Sequence, residues 1–294
     1  MKLSIGICLA TYNGEKYLAE QLDSLLNQSH QNFIIYVHDD NSSDNTVNIV
    51  KEYVSKFPSK FVFFDDDISY RDAGINFLEI LKRSNNHDFY MFCDQDDIWL
   101  EDKISNTLNK ILLENSNTEQ YPILCHTDLV IVDDSLSKIN QSFIASSNID
   151  PYENNYYNYV VLGNNATGCT MMFNNSARKI ILSKEYPSHT KKMMHDYWAV
   201  LSVSKIPSAK ILFLPEQTML YRQHGSNTIG FKRKTIKRTS LPLARALIAT
   251  LDPLFIFKAL KRIKQVNKYY PSRISFWQYL SIRFKNKYKT YQRK

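Results

Sequence analysis

Glycine is scarce, seven in 294 residues, and nowhere forms the spaced triplet that wraps a dinucleotide or the basic loop that cradles a nucleotidyl phosphate. A dinucleotide enzyme and a nucleotidyltransferase are set aside on that ground. Four cysteines, Cys8, Cys93, Cys125 and Cys169, stand far apart without a Cys-x-x-Cys pair, which argues against a zinc site and against a disulfide framework. They read as reduced thiols in a cytoplasmic protein. No stretch of about 18 uncharged apolar residues occurs, so no membrane-spanning helix is expected. Met1 to Ile5 leads straight into a strand without an apolar leader, which again points to the cytoplasm. Acid is what the last part of the chain lacks. Of 37 basic and 29 acidic residues, 232–294 hold 18 basic ones and a single acid, Asp252. The net +8 therefore divides into an acidic body, 19 basic against 28 acidic, and a strongly basic tail. A domain 1–230 followed by a region 231–294 is expected.

Within the body, apolar strand-like runs alternate with helical spacing. Leu3–Leu9 ends at the polar turn Ala10-Thr11-Tyr12-Asn13-Gly14, and Leu18, Leu22, Leu25 and Leu26 then recur as on one helix face. Phe33–Val37 runs into His38-Asp39-Asp40-Asn41-Ser42-Ser43-Asp44, where Ser43 or Asp44 suits a helix cap. Thr46–Phe57 is helical, Phe61–Phe64 extended, Ala73–Leu81 helical. This alternation predicts an α/β fold, a doubly wound and mostly parallel sheet flanked by helices, with its ligand crevice at the carboxyl ends of the strands.

One such end carries the most telling stretch. Phe89–Cys93 reads as a buried strand, Leu100–Leu113 as a helix, and between them stand Asp94-Gln95-Asp96-Asp97-Ile98-Trp99. Three carboxylates in four residues repel one another unless a cation or donor cluster compensates them, and a hard divalent ion that also bridges phosphates is the simplest answer. A solvated acidic turn is the plain alternative. Further on, Ile123–His126 is strand-like and Ile131–Leu136 hairpin-like, with His126 and Asp128 at a strand end. Asn164–Cys169 is a polar loop before Thr170–Phe173, and His195-Asp196 opens a helix running through Val203. Leu212–Leu214 and Thr218–Tyr221 read as two short strands before Arg222-Gln223-His224-Gly225. His38 and Asp65-Asp66-Asp67 read more simply as structural and solvated groups than as ligands.

These pieces together resemble the family-2 glycosyltransferases with the GT-A fold. Ala10–Gly14, Asp94–Trp99, Thr167–Met172, Met194–Trp198 and Leu220–Asn227 are similar in particular to bacterial rhamnosyltransferases that build cell-wall and capsular polysaccharides. The resemblance implies an inverting, metal-dependent transfer from a nucleotide-diphosphate sugar, dTDP-β-L-rhamnose, to a glycan or lipid-linked acceptor. A UDP-hexose donor and a non-catalytic sugar-binding scaffold are the alternatives. It implies that Thr11, Tyr12, Asn13, Asp39 and Asp40 hold the base and ribose, and that Arg71 lies where the nucleotide is contacted. Asp96 and Asp94 would form the metal motif for Mn2+ or Mg2+, with Asp94 reaching the ribose or a metal-bound water and His224 completing the shell. Asp196 would be the general base. Gly168 and Cys169 match the loop beneath the acceptor sugar; Trp198 is taken with them on the acceptor side, and the Trp99 and Trp198 rings read most simply as core or crevice wall. Arg222 would grip the diphosphate with its planar fork.

The basic tail interleaves Lys and Arg with Leu254, Phe255, Phe257, Trp277, Tyr279 and others, a composition suited to the interface of an anionic membrane on its inner face. A helical appendage on the body's acidic face or on a second subunit, as in a homodimer, is the alternative. Nucleic acid is not expected, since no recognised nucleic-acid motif accompanies the cations.

Overall fold

The computed structural model describes residues 3–114, 120–147, 150–152, 163–186, 194–225, 253–269 and 275–283. Four strands, β1 (Ile5–Thr11), β2 (Phe33–Asp39), β3 (Phe61–Phe63) and β4 (Phe89–Cys93), lie parallel in the order β3-β2-β1-β4. Helices α1 (Leu18–Leu26), α2 (Thr46–Lys56) and α3 (Ala73–Arg83) connect them. Because side chains alternate along a strand, Ile5, Ile7, Leu9, Phe33, Ile35 and Val37 fall on one face with Leu18, Leu22 and Leu25 of α1. Cys8, Tyr36, Tyr90 and Phe92 fall on the other, under Phe77, Ile80 and Leu81 of α3. Two helical layers thus enclose the sheet, as the α/β alternation predicts.

The second half adds β5 (Ile98–Trp99), α4 (Lys103–Glu114), β6 (Ile123–Val132), β7 (Lys138–Asn140), α5 (Phe143–Ser147), β8 (Met171–Asn174), α6 (Asn175–Leu182), α7 (His195–Ser204) and β9 (Lys210–Arg222). The sheet continues β4-β8-β6-β9-β5, with β7 on β6. Strand β8 is antiparallel to both of its neighbours. Its beginning therefore reaches the edge at which the parallel strands end, and this delivers Gly168 and Cys169 to the expected crevice.

Some boundaries differ from the sequence reading. The two short strands around Pro215 are one strand, β9, whose pairing with β6 jumps from Thr127↔Leu214 to Asp128↔Gln217. Proline has no N–H for the ladder, so the register slips past it in a bulge rather than ending the strand. Ile98 and Trp99 pair with Leu220 and Met219 before the helix begins at Lys103. Helix α6, absent from the sequence reading, starts at Asn174, whose side chain accepts the Ala177 N–H at 2.9 Å.

Near the end of the chain lie α8 (Pro253–Tyr269) and a helix over 276–283, α9. Ala259 and Ile263 of α8 and Tyr279 and Leu280 of α9 are buried in the same cluster as α3 and α7. The boundary expected near residue 230 and the last two residues of the Leu220–Asn227 motif lie outside the described residues.

Candidate active site

The strand register puts Thr11 opposite Asp39 and Leu9 opposite Cys93, so the ends of β1, β2 and β4 form one rim. The turns that leave this rim are tied to each other. Thr11 donates its hydroxyl to Asp39 at 2.8 Å, and Asp39 also accepts the Ser42 N–H (2.7 Å) and hydroxyl (2.6 Å). Asp40 accepts the N–H groups of Tyr70 (2.6 Å) and Arg71 (3.2 Å) and the Ser69 hydroxyl (3.0 Å), all on one oxygen. Asn13, at φ 47°, accepts the Ser43 N–H at 2.9 Å. Asp39, Asp40 and Asn13 thus build the rim as turn-holding groups. What they present outward is the Tyr12 ring, 58% exposed, and Arg71, exposed at φ 52°.

Gln95, which the sequence reading passed over, couples this rim to the acidic loop. Its amide accepts the Tyr12 N–H at 2.8 Å and donates to the Tyr12 carbonyl at 2.9 Å. A methyl on Gly14 would sit 2.3 Å from the Gln95 oxygen, which explains a glycine there.

In the acidic loop, burial pushes the Asp94 carboxyl up to about 7, with the charges of Asp96 and Asp196 adding to the effect. Burial raises Asp96 too, against a 2.8 Å hydrogen bond between its Oδ2 and Nε2 of His224. Asp97 is buried and also raised. One of its oxygens accepts the Arg222 N–H at 3.0 Å, while Oδ2 is buried without a partner. Carboxylate oxygens and one imidazole nitrogen suit a hard or borderline divalent cation, and 2.8 Å is close to the ~3 Å between adjacent ligands of one octahedral ion. The orphaned Asp97 oxygen points to the same conclusion, so Asp96 and His224 fit a divalent metal, with Asp94 and Asp97 beside them in the same loop. Ligand atoms of Asp94, Asp97 and Cys169 also lie within 4.8 Å of one another. Burial drives the Cys169 thiol well above its ordinary range, however, and a protonated thiol is a poor ligand for a hard cation.

Arg222 differs from expectation. Its side chain is buried and its fork is engaged by protein groups: Nε donates to the Asp96 carbonyl at 3.0 Å, Nη1 to the Asp134 carbonyl at 3.0 Å, and Nη2 meets the Glu20 carboxylate. The Tyr17 ring lies against both it and His224, at 4.5 and 4.8 Å. The antiparallel β5–β9 pairing sets Arg222 behind the acidic loop, and α1 covers it there. Here it is a positioning group for Asp96 and Asp97 rather than a grip on diphosphate. A second buried cation lies beneath. Lys103 donates to the Thr218 hydroxyl at 3.1 Å, and burial pulls its ammonium down to about 8 despite Asp97 and three thiols nearby.

Asp196 enters from the other side of the crevice, in the first turn of α7. Burial pushes its carboxyl up to about 6, opposed by the N–H groups of Tyr197 and Gly168 and by the Asn164 amide. Its charge acts on Asp94, so residues a hundred positions apart share one site. The neighbouring His195 is buried and held neutral, near 3, its ring stacked on Phe77 at 3.9 Å and edge-on to Phe92 at 4.7 Å. The ring lies directly over Gly168. An added methyl there would stand 2.5 Å from Nε2. Gly168→Ala is expected to force the clamped ring aside, lowering stability by about 1–3 kcal/mol and displacing Asp196. Thermal unfolding and kcat measure both, and a variant as stable and as active as the parent would contradict the packing argument.

One acceptor-side expectation is corrected. Trp198 is buried, donating to the Ile181 carbonyl at 3.0 Å and packing on Tyr186, so it is core. Cys169 is likewise buried, its sulfur within 4.8 Å of Asp94 and Asp97. Other groups follow the plainer reading. His38 is bound by Asn76 and Asp66, Asp128 accepts the Ile144 N–H and Ser142 hydroxyl at the start of α5, and all four cysteines are free and buried.

Comparison with known proteins bears on the family and the fold. The model of the family described as Glycosyl transferase family 2 matches residues 6–180. The dTDP-rhamnosyl transferase RfbG of Shigella flexneri is 30% identical over 228 residues, covering 76% of this chain and 73% of that protein. The crystal structure of S. aureus TarS 1-349 in complex with UDP-GlcNAc superposes with a TM-score of 0.58 at 18% identity, over 77% of this chain and 60% of that one. The mannosyltransferase PcManGT from Pyrobaculum calidifontis, in complex with GDP-Man and Mn2+, gives 0.52 at 13%, over 78% and 59%. At these identities the two structures establish the fold, which is that of GT-A glycosyltransferases, and this chain spans about three fifths of their length.

Proposed function

The chain belongs to glycosyl transferase family 2, and on that footing we propose that it transfers L-rhamnose, with inversion, from dTDP-β-L-rhamnose to a hydroxyl of a lipid-linked or growing cell-surface polysaccharide. The observation that carries this reading is the meeting of Asp196 with the Asp94–Asp97 loop and His224 at one strand-end crevice. The similarity to the dTDP-rhamnosyl transferase of Shigella flexneri supports the choice of donor.

Each residue then has a task. An acceptor hydroxyl loses its proton as it attacks the anomeric carbon, and Asp196, mostly ionised at neutral pH yet raised toward 6, is suited to take it. Asn164 and the Gly168 N–H aim that carboxylate. Tyr12 and Arg71, exposed on the rim, are placed to meet the base and phosphates of the donor. Arg222, Tyr17 and Glu20 hold the acidic loop and His224 in register. A divalent cation, manganese or magnesium, held by Asp96, His224 and Asp94 would offset the charge that develops on the departing diphosphate.

Isothermal titration of dTDP-β-L-rhamnose, UDP-glucose, UDP-galactose and UDP-N-acetylglucosamine, with manganese or with EDTA, tests the reading. The dTDP sugar is expected to bind at least about tenfold tighter than the others, and only with metal. Tighter binding of a UDP-hexose would replace the donor. If no donor is bound or hydrolysed, a sugar-binding scaffold takes the place of the enzyme.

A further inference from the structure

We propose that the outward face of α8 and α9 docks the protein on an anionic lipid bilayer. Helix α8 spends one side on the core, through Ala259 and Ile263, and α9 does the same through Tyr279 and Leu280. Their other sides carry large apolar groups into solvent: Phe257 is 63% exposed, Leu260 49% and Trp277 76%. Around these stand Lys258, Lys261 and Lys264, all exposed. Neither helix contains an acidic residue. An ordinary solvent-facing helix mixes both signs and keeps aromatic rings inward. Cations around protruding aromatic and aliphatic side chains fit a headgroup layer instead, where rings enter the acyl boundary and ammonium groups stay among the phosphates.

The charge of the rest of the molecule favours this occupant. The body up to residue 231 carries an excess of acid, 28 against 19, which an anionic surface repels, whereas the tail is attracted. The two together hold the molecule tail-down. A second copy seated face to face would set Lys258, Lys261 and Lys264 against their own kind. A nucleic acid would use the cations and leave Leu260 and Phe257 unexplained. The described helices are too short or too polar to cross the membrane, so the attachment is peripheral.

The chain holds its own probe. Trp99 and Trp198 are buried, so Trp277 is the one tryptophan whose surroundings change on docking. Full-length protein is titrated with vesicles of phosphatidylglycerol and phosphatidylcholine, followed by sedimentation and by Trp277 emission. Binding is expected with the anionic vesicles, with a blue shift and quenching by brominated acyl chains, and release at about 0.5 M salt. Substituting Lys258, Lys261 and Lys264 together by Gln should weaken binding by on the order of a hundredfold, roughly fivefold for each cation. Phe257→Ser should remove most of the remainder while donor titration in solution stays unchanged. Equal binding to neutral vesicles, an indifferent triple variant, or an unshifted Trp277 would overturn the proposal. So would preference for RNA over anionic vesicles, or a concentration-dependent dimer that buries Trp277 without lipid. Vesicle binding and donor binding are separate readouts, so failure of one leaves the other standing.

Discussion

Asp196→Asn is expected to lower kcat by about 10²–10⁴ while leaving the donor dissociation constant within about threefold. Asparagine keeps the size of the side chain and one oxygen for the N–H groups of Tyr197 and Gly168, so the start of α7 should stay in place. It cannot take a proton from the acceptor. The parent enzyme should lose activity with a slope of one as pH falls through about 6, because a carboxyl raised to that value is protonated below it and no longer a base. The residual rate of the variant should lack this acid limb. Parallel loss of donor affinity, or an acid limb that survives the substitution, would remove Asp196 from the role of base.

The second large effect is on stability. Asp94 is raised to about 7 and Asp196 to about 6, with Asp96 and Asp97 raised as well, so the folded protein binds protons that the unfolded chain releases above about 4. By linkage, stability falls with rising pH wherever the folded state holds more protons. The contribution of these groups to the metal-free protein should therefore be greatest below about pH 4 and be lost as pH rises toward 7, by a total of several kcal/mol. A divalent cation binds the same carboxylates once ionised. Manganese at about a hundredfold its dissociation constant should then raise Tm by roughly 5–10 °C at pH 8 and by little at pH 5. Scanning fluorimetry with manganese or EDTA reads this directly. An equal shift at both pH values would mean that the cation, if bound at all, sits elsewhere.

Much of the site was legible because its acids stand at strand tips, and the alternation of elements predicts which tips adjoin. Thr11, Asp39 and the Asp94–Asp97 loop followed from that alone. Other features depend on contacts that no local pattern encodes. Arg222 is held by Glu20, 202 positions away, and reads from sequence as a free guanidinium. Lys103 opens an amphipathic helix and looks solvent-bound until β9 closes over it. Trp198 and Cys169 belong to motifs near the crevice, yet both point into packing, and only the third dimension separates a wall from a floor. Leu212–Leu214 and Thr218–Tyr221 read as two strands, yet a bulge of two residues at Pro215 and Glu216 lets one ladder continue through both.

The reversed direction of β8 bears on how such a protein can change. Tyr12 and Arg71, proposed to meet the nucleotide, come from the first hundred positions, whereas Gly168 arrives later at the start of β8 and Asp196 at the start of α7. The two sets meet in space while remaining separate in the gene. Lineages could exchange or drift in the stretch from Gly168 to α7, and so acquire new recipients for the sugar, while the earlier segment and Arg222 and His224 beyond it stay as they are.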